Sequence, residues 1–112
     1  MTGPSLNAEL VLEEGQREPD GMGGYRLSWR PLGRLWAALE ARSAREAAQG
    51  LGMVSVVQWR ITVRGAAVGD PRRPRAGQRM SLGTRRFRIE AVAERDAHGR
   101  WLDCFAREEE QA

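Results

Sequence analysis

The stretch Val57-Gln58-Trp59-Arg60-Ile61-Thr62-Val63-Arg64 alternates apolar and polar side chains without a break. Successive side chains of a strand face opposite sides of a sheet, so this period of two reads as a strand with one dry and one wet face. The pattern returns on both sides of it. Phe87, Ile89 and Ala91 alternate with Arg86, Arg88 and Glu90, and Tyr25, Leu27 and Trp29 alternate with Arg26, Ser28 and Arg30. Near the start, Leu6, Ala8, Leu10 and Leu12 face away from Asn7, Glu9 and Glu13, with Val11 the one apolar residue on the polar side. A half-buried antiparallel sheet accounts for all four.

Turn chemistry separates these runs. Asp20-Gly21 and Gly23-Gly24 break the chain between the first two, and Leu82-Gly83-Thr84 turns a short strand at Arg79 to Leu82 into the Phe87 strand. Asp96-Ala97-His98-Gly99 lies between Val92 and Trp101 as a hairpin connection. One segment reads two ways. Leu32, Leu35, Trp36 and Leu39 fit the i, i+3, i+4, i+7 spacing of an amphipathic helix, with Pro31 in its first turn and an Ala-rich continuation to Gln49. Leu35, Ala37, Leu39 and Ala41 also alternate. Two stretches read as loops: Ser43 to Met53, and Gly65 to Gln78 with its prolines and glycines.

The chain has 112 residues, room for a single domain over 1–112 with flexible ends at about 1–5 and 108–112. Hydrophobic residues make up 41% and charged residues 29%, a balance that supports a packed core rather than disorder. No run approaches the roughly 20 apolar residues of a membrane span, and Met1 to Leu12 has no basic lead-in of a signal peptide. The expectation is a soluble chain without membrane contact. All 18 basic residues are arginine, against 15 acids, for a net charge of +3. That excess is too small to argue nucleic-acid binding by itself.

Catalysis needs a nucleophile, base or metal in convergent geometry. The one histidine, His98, falls in a turn, and the one cysteine, Cys104, sits among Leu102, Phe105 and Ala106, where a buried thiol is expected. Gly21-Met22-Gly23-Gly24 lacks the spacing and the lysine of a phosphate loop. The expectation is no enzyme, no metal and no cofactor. The basic cluster is more informative. Arg72, Arg73, Arg75, Arg79, Arg85, Arg86 and Arg88 crowd into one short segment. Such a cluster is a solvated face with a mobile loop, a dock for an acidic protein, or a contact for nucleic-acid phosphates. Only Phe87 among the aromatics lies inside it and alternation turns that ring inward, which favours protein docking over stacking on bases.

The order of these elements resembles the head–tail joining family of tailed phages, the head-closure or connector proteins, which includes neck proteins of phage-like gene transfer agents. The likeness is carried by the early strand Ala8 to Glu13, the turn Gly21 to Gly24, Trp29, and Leu35-Trp36-Ala37-Ala38-Leu39-Glu40 followed by Arg45-Glu46. It continues through Ile61-Thr62-Val63-Arg64, Arg79-Met80, Phe87-Arg88-Ile89-Glu90-Ala91-Val92 and Gly99-Arg100-Trp101-Leu102. No single motif is specific; the ordered set is. Gly65 departs from the aromatic common after that arginine, and the 65–78 connection is unusually rich in Arg and Pro.

The resemblance implies a compact β-barrel that assembles into a homo-oligomeric ring in the neck of a virion or phage-like particle, made in the bacterial cytoplasm. It implies that Trp36 to Ala41 is a strand. The expected fold class is therefore mainly β, a small antiparallel barrel or sandwich with long loops and room for one short helix near residues 43–49. The implied partners are a portal or adaptor on the head side, a tail terminator or tail tube on the other, and packaged double-stranded DNA in the channel. By position, the channel-facing loop would hold Ser43, Arg45, Glu46, Gln49, Leu51 and Met53. Arg72, Arg73, Arg75, Arg79, Arg85 and Arg86 would dock a partner. The alternative is a small nucleic-acid-binding β-barrel that uses the basic cluster from Arg72 to Arg88.

Overall fold

In the structure, a computed structural model describing residues 3–50 and 52–111, the chain is all strand and connection. Six strands run in order: β1 (Ala8–Pro19), β2 (Tyr25–Gln49), β3 (Gly52–Arg64), β4 (Arg79–Leu82), β5 (Arg85–Glu94) and β6 (Trp101–Gln111). Every pairing is antiparallel, and the spatial order β1-β2-β3-β6-β5-β4 closes on itself where β4 meets β1. A small closed sheet fills its interior with side chains. Here Leu10, Leu12, Ala37, Ile61, Val63, Met80, Phe87, Ile89, Leu102, Cys104 and Ala106 form the core, each almost fully buried. Residues directly opposite share a face, and the register confirms it: Val63 faces Leu102, Ile61 faces Cys104, and Met80 faces Phe87.

Three irregularities in register decide which side chains this core receives. Leu12 pairs with Gly33 and Glu13 with Pro31, so Leu32 is an extra residue in β2. Ala41 pairs with Trp59 and Ser43 with Gln58, which makes Arg42 extra. Ile89 pairs with Ala106 and Ala91 with Phe105, which makes Glu90 extra. Each inserted residue flips the strand's faces beyond it, since side-chain direction has a period of two. Leu35, Ala37 and Leu39 point inward, whereas Leu27 and Trp29, of the same parity, lie on the outside with Glu13 and Arg79. Likewise Ala91 is exposed and Val92 packs on the core.

Several sequence expectations are corrected by these elements. The segment 32–49 is strand throughout, including residues 43–49 where a short helix was expected. The stretch 43–53 is not an irregular loop but the hairpin of β2 and β3, with Gln49 paired to Gly52. The expected flexible end at 108–112 is strand as far as Gln111, because Glu108, Glu109 and Glu110 pair with Val57, Val56 and Ser55. Together they build a three-stranded arm beyond the barrel. Tyr25 and Leu27, expected to be half-buried, are 63% and 52% exposed, because the distal half of the β1–β2 hairpin leaves the barrel as a two-stranded ribbon.

The 65–78 connection is folded onto the barrel. Pro74 is fully buried and Gln78 nearly so, with the Gln78 amide oxygen accepting from the Arg75 backbone N–H at 2.8 Å. The backbones of Gly77 and Gln78 exchange bonds with Ile89 at 2.8 and 2.9 Å. A connection tied at its own prolines and at β5 has little freedom, although its sequence reads as a breaker-rich loop.

Candidate functional site

The clustered arginines do not form one patch. Their strands and turns distribute them over three places, and most meet carboxylates of this same chain. On the 65–78 connection, Arg72 forms an ion pair with Asp70 at 2.9 Å and Arg75 one with Glu14 at 2.6 Å. The Arg72 guanidinium beside Asp70 holds that carboxyl down at about 2. Arg73 donates to the Ala66 carbonyl at 2.8 Å. These three brace the connection.

Arg85 takes the second place, at the base of the arm. Its Nε and a terminal nitrogen clamp Glu108 at 2.7 and 3.0 Å, and the indole of Trp59 donates to the same carboxylate at 3.0 Å. The guanidinium lies over the rings of Trp59 and Phe87, at 5.4 and 5.0 Å, and those rings meet edge to face. Hydrogen bonding from Arg85 holds the Glu108 carboxyl below its ordinary value and outweighs the opposing effect of burial. This constellation joins the acidic end of β6 to the core.

Arg79 and Arg86 occupy the third place, with Arg88 and a residue the sequence reading missed, Arg107. Arg79 faces Arg88 across β4–β5, and Arg88 faces Arg107 across β5–β6. The row lies on the outer face, in a groove whose other wall is Leu27 and Trp29 of the ribbon, with Glu109 at its rim. Arg79 is held by Glu13 at 2.7 Å and stacks on Trp29 at 4.2 Å; Arg107 reaches Glu109 at 2.8 Å. Among the described residues Arg86 donates only to the carbonyls of Gly83 and Arg85. Arg88 has no ion pair or side-chain hydrogen bond among the described residues, and the buried Nε of Arg107 finds no acceptor there. Arg107 could be found only from cross-strand register, which no local pattern carries.

The residues expected to face a channel sit on the arm, on two opposite faces. Ser43 and Arg45 share one face with Val56 and Gln58; Glu46 shares the other with Ser55 and Glu110. Gln49 closes the hairpin against Gly52, and Met53 is 43% exposed. Leu51 lies outside the described residues. His98 is exposed in its turn, and Cys104 is buried with its thiol pushed up to about 12, chiefly by desolvation. Among the described residues no three His, Cys, Asp or Glu side chains converge on a point that could hold a metal.

The closed β-barrel carries its exposed features on an arm, a ribbon and a charged groove, surfaces suited to contact with other macromolecules. The comparison with known families makes this specific: residues 1–109 match the model of the phage head completion protein, and the chain belongs to that family. That membership gives it a structural role in a head–tail assembly. Among solved structures, it is similar to a chain described as "Virion of native gene transfer agent (GTA) particle", at 51% identity and a TM-score of 0.89, covering 98% of this chain and 100% of that one. No curated protein matches it.

Proposed function

We propose that the protein is a structural ring subunit in the neck of a tailed phage or phage-like particle, where it closes the head, retains packaged DNA and docks the tail. The observation that carries this reading is membership of the head completion family over residues 1–109, joined to a three-stranded arm that projects from a closed barrel. The likeness to a chain of a gene transfer agent virion supports a place in such a particle. In this reading, copies form a ring between a portal or adaptor and the tail. The arm, with Ser43 and Arg45 on one face, reaches the double-stranded DNA in the channel. The function is contact without catalysis, and synthesis is in the bacterial cytoplasm.

Imaging of particles assembled without this chain tests the proposal. The expected result is tailless heads that have lost their DNA. Normally tailed, full particles would overturn it.

A further inference from the structure

The arm and groove present complementary surfaces that one copy cannot bring together. On one face of the arm, Glu46, Ser55 and Glu110 stand in a single cross-strand row, with exposed Met53 next to it on β3. Neither Glu46 nor Glu110 has an ion pair among the described residues. The opposite face runs on into β5 and β4, where Arg107, Arg88 and Arg79 stand in their own row. Like charges placed directly opposite raise the energy of a sheet. Glu13 and Glu109 relieve the two ends of that row and, among the described residues, leave Arg88 and the neighbouring Arg86 without a carboxylate. The groove thus has cations awaiting acids and an apolar wall, and the arm has acids beside an exposed thioether.

We propose that the Glu46–Glu110 face of one copy seats in the Arg86–Arg88 groove of a second copy, with Met53 against Leu27 and Trp29. Paired charges would then be shielded at the contact, and the sulfur would rest on an aromatic edge. A nucleic-acid backbone fits this groove less well. The guanidinium row is a short patch rather than a continuous basic stripe, and the apolar wall of Leu27 and Trp29 beside it offers phosphate nothing to bind. The two surfaces are different patches of one chain, so the contact is heterologous, and repetition closes a ring when the rotation permits. This inference deepens the ring reading and rests on it.

The test uses assembled particles carrying both Glu46→Cys and Arg88→Cys, mildly oxidised and run on a non-reducing gel. The expected result is a ladder of disulfide-linked multimers, with only monomer from either single variant. Monomer from the double variant, or dimers from Glu46→Cys alone, would overturn the contact. Copy number per particle by imaging separates the two claims. Several copies without a ladder sink the contact alone, whereas a single copy sinks the ring as well. A charge exchange gives a second, independent reading. Arg88→Glu and Glu46→Arg should each lower incorporation about tenfold, and their combination in one chain should restore it. Failure of the combined exchange to restore incorporation would count against the proposal.

Discussion

Gly65 lies where two connections touch. Its N–H donates to the Arg100 carbonyl at 2.7 Å, and a β-carbon placed on it would sit 1.8 Å from the carbonyl oxygen of Gly99. Backbone cannot move aside as a flexible side chain can, so glycine is demanded at this position. Gly65→Ala should cost about 3 kcal/mol, read as a fall in the denaturant midpoint, with the displacement felt at Arg100 and Trp101. Glu108 is the second residue with outsized leverage. Arg85 lowers its carboxyl from an ordinary 4.5, so the pair's contribution is present above that value and is lost as pH falls through the lowered one. Glu108→Gln should therefore cost about 1.5–3 kcal/mol near neutrality and progressively less in acid, measured as unfolding free energy against pH. An unchanged gap at low pH would contradict the assignment. At Cys104, burial and the neighbouring Asp103 charge keep the thiol protonated. Maleimide labelling should follow unfolding in denaturant, and rapid labelling of the native protein would show that the core opens locally.

At the level of elements, the arm is distinct from the barrel. Val54 and Val56 are buried on it yet stand outside the main core, with Val56 flanked in register by Arg45 and Glu109. Replacing residues 44–55 with a short glycine turn should leave a cooperative barrel, judged by a single thermal transition. The shortened chain should be incorporated less, since Glu46 and Met53 go with the arm, and particles that do contain it should hold less encapsidated DNA; unchanged DNA per particle would count against retention by the arm. Most strands are legible because alternation survives in each, and at 57–63, 87–89 and 8–12 its apolar face is the one that turns to the barrel interior or the base of the arm. What stayed illegible was phase. An inserted residue at Leu32, Arg42 or Glu90 leaves the alternation intact on either side and exchanges inside for outside, so Leu27, Trp29 and Ala91 looked like core. The same insertion explains the false helical period. Leu32 is the extra residue and Trp36 faces solvent, and with inward Leu35 and Leu39 they imitate a spacing of three and four. The arginines are visible as composition, but the groove is not, because Arg88 and Arg107 become neighbours only through the β5–β6 register, which the extra residue Glu90 shifts.

The whole molecule holds its closed shape through a narrow seam. Strands β1 and β4 meet only at Val11–Ser81, Leu12–Met80 and Glu13–Arg79, whereas β3 and β6 pair along most of their length. Leu12 and Met80 are buried there, and the Glu13–Arg79 ion pair, at 2.7 Å and mostly shielded, flanks them on the outer face. Opening the seam would turn the barrel into an open sheet without breaking the β2–β3–β6 ladder that forms the arm. The seam is the shortest pairing in the closed sheet, so the barrel is expected to open there first. Native-state hydrogen exchange should show the β4 amides and those of β1 that pair with it exchanging together, ahead of those in β3 and β6. Met80→Ala should remove about 2–5 kcal/mol and widen that difference, since the lost packing belongs to the seam. Exchange beginning in β3 and β6 would mean that the arm, and not the seam, yields first. The seam also bears on the groove, because Arg79 belongs to both. A partner that engages the arginine row grips β4 from outside, so binding there should slow exchange at the seam in proportion to its occupancy.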